Sequence, residues 1–319
     1  MKLLSLFGGI AAPEKALINL GIDFKQLDFV EIDEKAVRTF NYVYEHLNQK
    51  KPQSVVGWNY KPDILFHGSP CQDFSRAGIR LGGKDEDKTR SSLMFETLRI
   101  IENMGEWKPK VVIWENVKGV LDKDMIGSFN KYLQYLDELG YYSNYEVLNA
   151  MDFGIPQARE RVFVVSVLDG YFNFDLIKKK PMRNLSEFLE EGLPHERYLV
   201  TQPSMLNRLD IPENDNNNAF TGRVKIIDDF VWTITTKQVR SPNAGVVDLG
   251  NGTYRYLTER ECWRLMGFDD SDYDKAKEAH PRRKDYMNTT LYHQAGNSIV
   301  VQVIEAIFKS LFAQGILEL

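Results

Sequence analysis

Two cysteines stand in the 319 residues, and only one has neighbours suited to chemistry. Cys71 lies in Gly68-Ser69-Pro70-Cys71-Gln72-Asp73-Phe74-Ser75, straight after the apolar run Asp63-Ile-Leu-Phe-His67, which reads as a short buried strand. Gly68 and Pro70 break that strand into a loop, and open α/β sheets keep their chemistry at the carboxyl ends of parallel strands. A free cysteine taken alone is more often a buried space-filler. The strand end before Cys71, and a Gln-Asp-Phe-Ser run after it that no core needs, favour a presented thiol instead. A second strand, Val111-Val-Ile-Trp114, ends on Glu115-Asn116-Val117 and would bring a carboxyl to the same sheet edge. A thiol and a carboxyl converging on one crevice form a catalytic pair; the bland reading of Glu115 is a surface acid after a strand. Further on, Gln157-Ala-Arg159-Glu-Arg161 leads into the apolar run Val162-Phe-Val-Val-Ser166. Period-two alternation puts Arg159 and Arg161 on one side of that strand start. There they supply fixed positive charge to the crevice or serve as exposed salt-bridge partners.

The amino-terminal run Lys2-Leu-Leu-Ser-Leu6 predicts a strand entering the small-residue turn Phe7-Gly8-Gly9-Ile10-Ala11-Ala12-Pro13. Such a turn can hold its backbone against a ligand, and Pro13 suits the first turn of a helix over residues 14–20. It is neither a P-loop nor Gly-x-Gly-x-x-Gly. The next strand, residues 27–30, ends on Glu31, 22 residues after Gly9. An acid about 20 residues past a glycine turn bonds ribose hydroxyls in doubly wound folds, whereas the alternative is an acid at a helix start, like Asp33 and Glu34. Near the other end, Gly296-Asn297-Ser298 precedes an apolar helix over residues 299–312. That entry suggests a backbone approaching a ligand, or simply a helix cap.

These residues need elements to hold them. Helices are expected over residues 34–44, 93–102 and 124–139, with Gly140 closing the last, and a strand over 142–148. Residues 76–92, rich in Gly, charge and Ser, read as a loop able to close over the site. From about residue 170 the texture becomes loop-rich, with a helix-like piece at 185–189, a polar loop at 213–218 and short strands at 232–236 and 246–249. Residues 170–255 hold 11 Lys or Arg and 11 Asp or Glu, so any basic surface there, from Arg223, Lys225, Lys237 and Arg240, is local. Thr258 and Glu261 form a capping box for a helix whose apolar stripe takes Cys262 into the core. A net charge of −5 with 43% hydrophobic and 27% charged residues fits a soluble protein of one large and one smaller domain and does not advertise nucleic-acid binding. No apolar run approaches a membrane span, the amino terminus is too short for a secretion signal, and two distant cysteines suit a reducing cytoplasm. Neither cysteine belongs to a metal-ligand cluster.

Taken together and in order, Phe-Gly-Gly, Glu31, Pro-Cys-Gln, Glu-Asn-Val, Gln-Ala-Arg-Glu-Arg, Arg260-Glu261 and Gly-Asn-Ser resemble the DNA cytosine-5 methyltransferases. The likeness spans nearly the whole chain outside residues 170–255, where that family keeps its variable target-recognition domain. It implies a Rossmann-like α/β fold for an S-adenosylmethionine-dependent methyltransferase, with residues 1–169 catalytic and cofactor-binding, 170–255 recognising the target, and 256–319 completing the catalytic domain. This chain departs from the family in having Ser5 where an Asp is usual, Ala11-Ala12 where Gly is usual, and Trp58-Asn59 near a lost acid.

The resemblance implies the roles. Carbon 5 of cytosine is a poor nucleophile, so the Cys71 thiolate adds first to carbon 6. Glu115 serves ring nitrogen 3 as the protonated acid, with its pKa raised by burial. Arg161 holds the base oxygen and Arg159 helps fix the pocket. S-Adenosyl-L-methionine sits over Phe7, Gly8, Gly9 and Ile10, with Glu31, Ile32, Pro70, Asn297 and Ser298 around it; an aromatic such as Phe7 suits a sulfonium cation. The base must be flipped out of double-stranded DNA. The same chemistry on tRNA and a non-catalytic DNA-binding protein on this scaffold are the rival readings. The expected enzyme is a cytoplasmic monomer, with or without a cognate restriction endonuclease.

Overall fold

The structure, a computed structural model, describes residues 1–55, 61–69, 92–192, 196–209, 224–250, 252–282 and 286–318. Pro70 and Cys71, the expected closing loop as far as Ser91, the polar loop at 213–218, and Trp58, Asn59 and Arg223 lie outside the described residues. In chain order the strands are β1 (Lys2–Leu6), β2 (Lys25–Val30), β3 (Ile64–His67), β4 (Val111–Val117), β5 (Tyr142–Asn149), β6 (Gln157–Ala158), β7 (Glu160–Val167), β8 (Ile226–Ile227), β9 (Val231–Trp232), β10 (Val246–Gly250) and β11 (Thr253–Tyr256). The helices are α1 (Ala12–Asn19), α2 (Glu34–Val43), α3 (Ser92–Asn103), α4 (Ile126–Glu138), α5 (Pro203–Leu209), α6 (Glu259–Arg264), α7 (Asp270–Ala279), α8 (Thr289–Asn297) and α9 (Val301–Ala313).

Two compact units divide the chain. The first comprises residues 1–149, 160–179 and 301–319. Its six-stranded sheet has the order β2-β1-β3-β4-β7-β5, with β2, β1, β3 and β4 parallel and β7 antiparallel to both its neighbours. This is a Rossmann-like doubly wound sheet with one reversed strand, β7, set between β4 and the edge strand β5. Its central strands are near-continuous apolar runs because helices cover both faces. Leu4, Leu6, Leu65, Val112 and Trp114 pack on one face with Met94 and Leu98 of α3 and Phe129, Tyr132 and Leu136 of α4. Ser5 faces the other way, onto α1, which packs in turn against α9. That packing explains an excess of apolar residues: Thr289–Ala313 is long and apolar enough by composition to cross a membrane, contrary to expectation. It forms two helices, α8 and α9, and in α9 Ile304, Ile307, Phe308 and Leu311 are fully buried in a globular core.

The second unit comprises residues 150–159 and 180–300. It holds a three-stranded sheet, β11-β10-β8, the short parallel pair β6-β9, and helices α5 to α8. Residues 256–300 group here rather than with residues 1–169. The reason is a buried polar knot at the start of α6: Arg255 makes a two-pronged ion pair with Glu261, 2.8 Å on each prong, and the amide of Glu190 donates to the same carboxylate at 2.8 Å. The expected capping box of Thr258 and Glu261 closes the helix start. Two local expectations change. Residues 185–189 make a single 3-10 turn, Leu185–Glu187, capped by Asn184. The strand expected over 232–236 stops at Trp232, because side chains take over its polar contacts: Thr233 Oγ1 donates to the Ala158 carbonyl at 2.7 Å and the Ile234 amide to Gln157 Oε1 at 3.1 Å.

Candidate active site

Glu115 lies within β4, not after it, since the strand continues through Val117. Its neighbour Trp114 is the last residue paired with β3, opposite His67. Glu115 therefore stands one step beyond the point where β3 gives way to the segment carrying Cys71. On the other side β4 pairs with β7 in the register Glu115↔Phe163 and Val117↔Arg161. Arg161 is thus the diagonal neighbour of Glu115 on one face of the sheet, and its Nε lies 3.3 Å from Glu115 Oε1, with both side chains largely buried. The expected partnership of Arg159 and Arg161 on one side of a strand does not form. The chain breaks between β6 and β7 at Arg159, because those strands join different sheets. Arg159 is buried in the second unit and donates to the carbonyls of Ile234, Gly296 and Ser298 at 2.8, 3.1 and 2.7 Å. It clamps backbone there.

The Gly-Asn-Ser stretch is also ordered differently from expectation. Gly296 and Asn297 close α8, and Ser298 is its C-cap. Asn297 is exposed and Ser298 buried. The close approach that Gly296 permits is to protein, not ligand: a Cβ there would lie 2.3 Å from both the Thr235 carbonyl carbon and the Thr236 nitrogen. Gly296→Ala should therefore cost roughly 2–3 kcal/mol through overpacking against backbone that cannot swing aside. Denaturant unfolding measures this, and an unchanged midpoint would show that the contact relaxes freely.

At the amino-terminal turn, Phe7, Gly9 and Ala11 all take left-handed backbone, with φ of 57, 56 and 64°. For Phe7 and Ala11 that conformation carries strain, about 1–2 kcal/mol per non-glycine residue. The turn is held from below. The Tyr44 hydroxyl reaches the carbonyls of Ile10 and Ala11 at 3.4 and 3.3 Å, and the Phe29 ring, stacked on Phe40, fills the space a side chain at Gly8 would need. Glu31 is not the cap of α2; Asp33 is, accepting from the Lys35 and Ala36 amides. Instead the Glu31 carboxylate folds back and accepts from the amides of Gly9, Ile32 and Asp33 at 2.9, 2.8 and 2.9 Å. It joins the end of β2 to the turn after β1, with Ile32 72% exposed beside it. The departure at Ser5 has a structural counterpart. Ser5 Oγ donates at 2.6 Å to Glu14, which is fully buried on α1, also accepts from Gln26, and is pushed by burial above the ordinary carboxylate range. An acid stands beneath the turn, supplied by the helix in place of the strand. Glu14, Phe29 and Tyr44 have no local sequence signal; only the packing brings them under the turn.

Cys262 is fully buried in α6, and burial together with Glu261 and Glu259 pushes its thiol well up. At the end of β3, His67 is also fully buried; burial pushes its pKa down to about 3, so the folded protein keeps it neutral. An unfolded chain takes up that proton below about pH 6.5. The depressed value means that this contribution to stability is complete above pH 6.5 and is lost as the pH falls toward 3, with about 2 kcal/mol gone by pH 5. Urea unfolding at pH 7 and pH 5 reads the loss. His67→Gln should remove most of it, and an undiminished pH dependence in that variant would assign the acid sensitivity elsewhere.

Comparison with known proteins gives a consistent result. The family of C-5 cytosine-specific DNA methylases matches residues 1–313. Type II methyltransferase M2.ScrFI of Lactococcus lactis subsp. cremoris is 39% identical over 257 residues, a match covering 78% of this chain and 66% of that protein. Type II methyltransferase M.Bsp6I of Bacillus sp. is 30% identical, with 98% of each chain covered. Among solved structures, the S. pombe Dnmt2 methyltransferase superposes with a TM-score of 0.77 over 99% of both chains at 20% identity, which is a likeness of fold.

Proposed function

The chain belongs to the C-5 cytosine-specific DNA methylase family and methylates carbon 5 of cytosine in DNA; we propose that it does so on a flipped-out base, with Cys71 as nucleophile and Glu115 and Arg161 as the groups that hold and protonate the ring. The Glu115–Arg161 pair carries this reading. Nitrogen 3 and oxygen 2 are adjacent acceptors on one edge of cytosine. A carboxyl and a guanidinium set side by side on neighbouring strands match that edge. The Cys71 thiolate forms a bond to carbon 6 while the carbon 5–carbon 6 π pair moves onto carbon 5 and nitrogen 3 takes a proton from Glu115. Carbon 5 then accepts the methyl group and gives up its own proton to water; nitrogen 3 returns its proton to Glu115 as the carbon–sulfur bond breaks, which restores the carbon 5–carbon 6 double bond and the Cys71 thiolate.

The residues of the first unit fit S-adenosyl-L-methionine. The turn Phe7 to Ile10 and the Glu31 carboxylate meet at the carboxyl ends of β1 and β2, where doubly wound sheets bind nucleosides, and exposed Ile32 offers apolar surface for an adenine. When bound, this cofactor supplies an electrophilic methyl group. Pro70, Asn297 and Ser298 are assigned to it by the family resemblance. Residues 170–255 are the proposed target reader. Type II relatives set a restriction-modification context, for which the finer proposal is a cytoplasmic monomer acting on duplex DNA, with a cognate restriction endonuclease as partner.

The direct test is transfer of labelled methyl from S-adenosylmethionine to mixed-sequence duplex DNA, with tRNA alongside. Label confined to DNA at carbon 5 of cytosine is the expected result. Label in tRNA alone would keep the chemistry and overturn the substrate.

A further inference from the structure

Trp114 and Ser69 form a contact that the reaction described above does not use. β3 ends at His67, and the chain reaches Ser69 with its side chain turned inward, 5% exposed. There Ser69 Oγ accepts the indole Nε1–H of Trp114 at 2.9 Å. The indole is 1% exposed and enclosed by aromatic rings: His67 and Phe129 stack on it at 6.0 and 5.9 Å and Tyr132 packs at a tilt at 4.6 Å, while the Tyr132 hydroxyl meets His67 Nε2 at 2.8 Å. An indole N–H can only donate, and a buried donor left without an acceptor costs about 1–3 kcal/mol. Ser69 meets that requirement, so the first residues beyond β3 are drawn toward β4.

We propose that Ser69 and Trp114 are positioning residues, whose hydrogen bond sets the spacing between the start of the segment carrying Cys71 and the strand carrying Glu115. The inference rests on the methyltransferase reading and deepens it. Trp114 and Glu115 are consecutive on β4, so their side chains point to opposite faces of the sheet. The indole on one face holds Ser69, and the carboxyl on the other face meets Arg161. Cys71 follows Ser69 by two residues, a reach of at most about 7 Å. A pyrimidine ring is rigid, so the sulfur attacking carbon 6 and the acid at nitrogen 3 must keep one separation. An error of about 1 Å in such a geometry costs on the order of a hundredfold in rate. The hydrogen bond between β4 and the end of β3 sets that distance from behind, without touching the base.

Single-turnover methyl transfer to duplex DNA should be measured for the wild type, Ser69→Ala, Trp114→Phe and the double variant, beside cofactor binding and thermal unfolding of each. Each single change should slow transfer about tenfold or more. The double variant should be no slower than the slower single one, because both changes remove the same bond. Cofactor affinity should stay within about twofold, and the Ser69→Ala protein, which leaves the buried indole N–H without its acceptor, should unfold a few degrees below the wild type and remain folded at the assay temperature. Wild-type rates in the single variants, or slowing that multiplies in the double, would overturn the positioning role. So would slowing that disappears once rates are expressed per folded, cofactor-binding molecule. A wild type that transfers no methyl to DNA would overturn the functional reading, and this inference with it.

Discussion

Replacing Cys71 by serine is expected to cut methyl transfer at least about a thousandfold, roughly 4 kcal/mol on the barrier, while leaving cofactor affinity within about twofold. A hydroxyl is far less acidic than a thiol, so at neutral pH almost no alkoxide exists to add to carbon 6, and carbon 5 stays too electron-poor to accept a methyl group. The residues proposed to hold the cofactor, Phe7 to Ile10 and Glu31, follow β1 and β2 and are not altered by the change. Cys262 makes the control decisive. Its thiol is buried and pushed well up in pKa, so it cannot substitute as a thiolate, and the transfer chemistry does not use it. Single-turnover label transfer into duplex DNA, paired with a cofactor titration, measures both halves of the expectation. A serine variant that methylates at near the wild-type rate would remove Cys71 from its role; one that also loses cofactor would make the loss uninformative about the nucleophile and move the residue into the cofactor site.

Glu115→Gln is expected to lower the transfer rate by about 10²–10⁴ with little change in the protein's stability. Glutamine keeps the shape of the side chain and an oxygen for Arg161, whose Nε stands 3.3 Å from the carboxylate. It can hold nitrogen 3 but cannot give up a proton to it. The charge that develops on the ring when the thiolate adds then goes unneutralised. If the carboxyl merely anchored Arg161, the glutamine variant would retain most of its rate and lose affinity for DNA instead. Comparing the maximal single-turnover rate with the DNA concentration needed for half of it separates the two. A near-normal maximal rate would refute the acid role.

How much of this was legible in the chain varies with the range of the interaction. The central strands β1, β3, β4 and β7 of the first unit show as apolar runs because they are largely buried, and the capping box of Thr258 and Glu261 lies within four residues, so both follow from local composition. The order of motifs, read as a series, was enough to indicate the family. The geometry around the motifs was not. Arg159 and Arg161 are two residues apart and look equivalent, yet one clamps backbone in the second unit and the other faces Glu115, because the strand breaks between them to join two sheets. Gly296 resembles a ligand-binding glycine in sequence and proves to be the close contact of a helix end with Thr235 and Thr236.

The chain by itself determines which side chains are available and which segments must be buried, because hydrophobic period and capping chemistry act over a few residues. Only the tertiary structure decides which of them meet. Glu115 finds Arg161 through the antiparallel register of β4 and β7, and Ser69 finds Trp114 across 45 positions. Such pairings are set by the packing of the whole sheet, where a slip of one residue would turn every side chain of a strand to the wrong face.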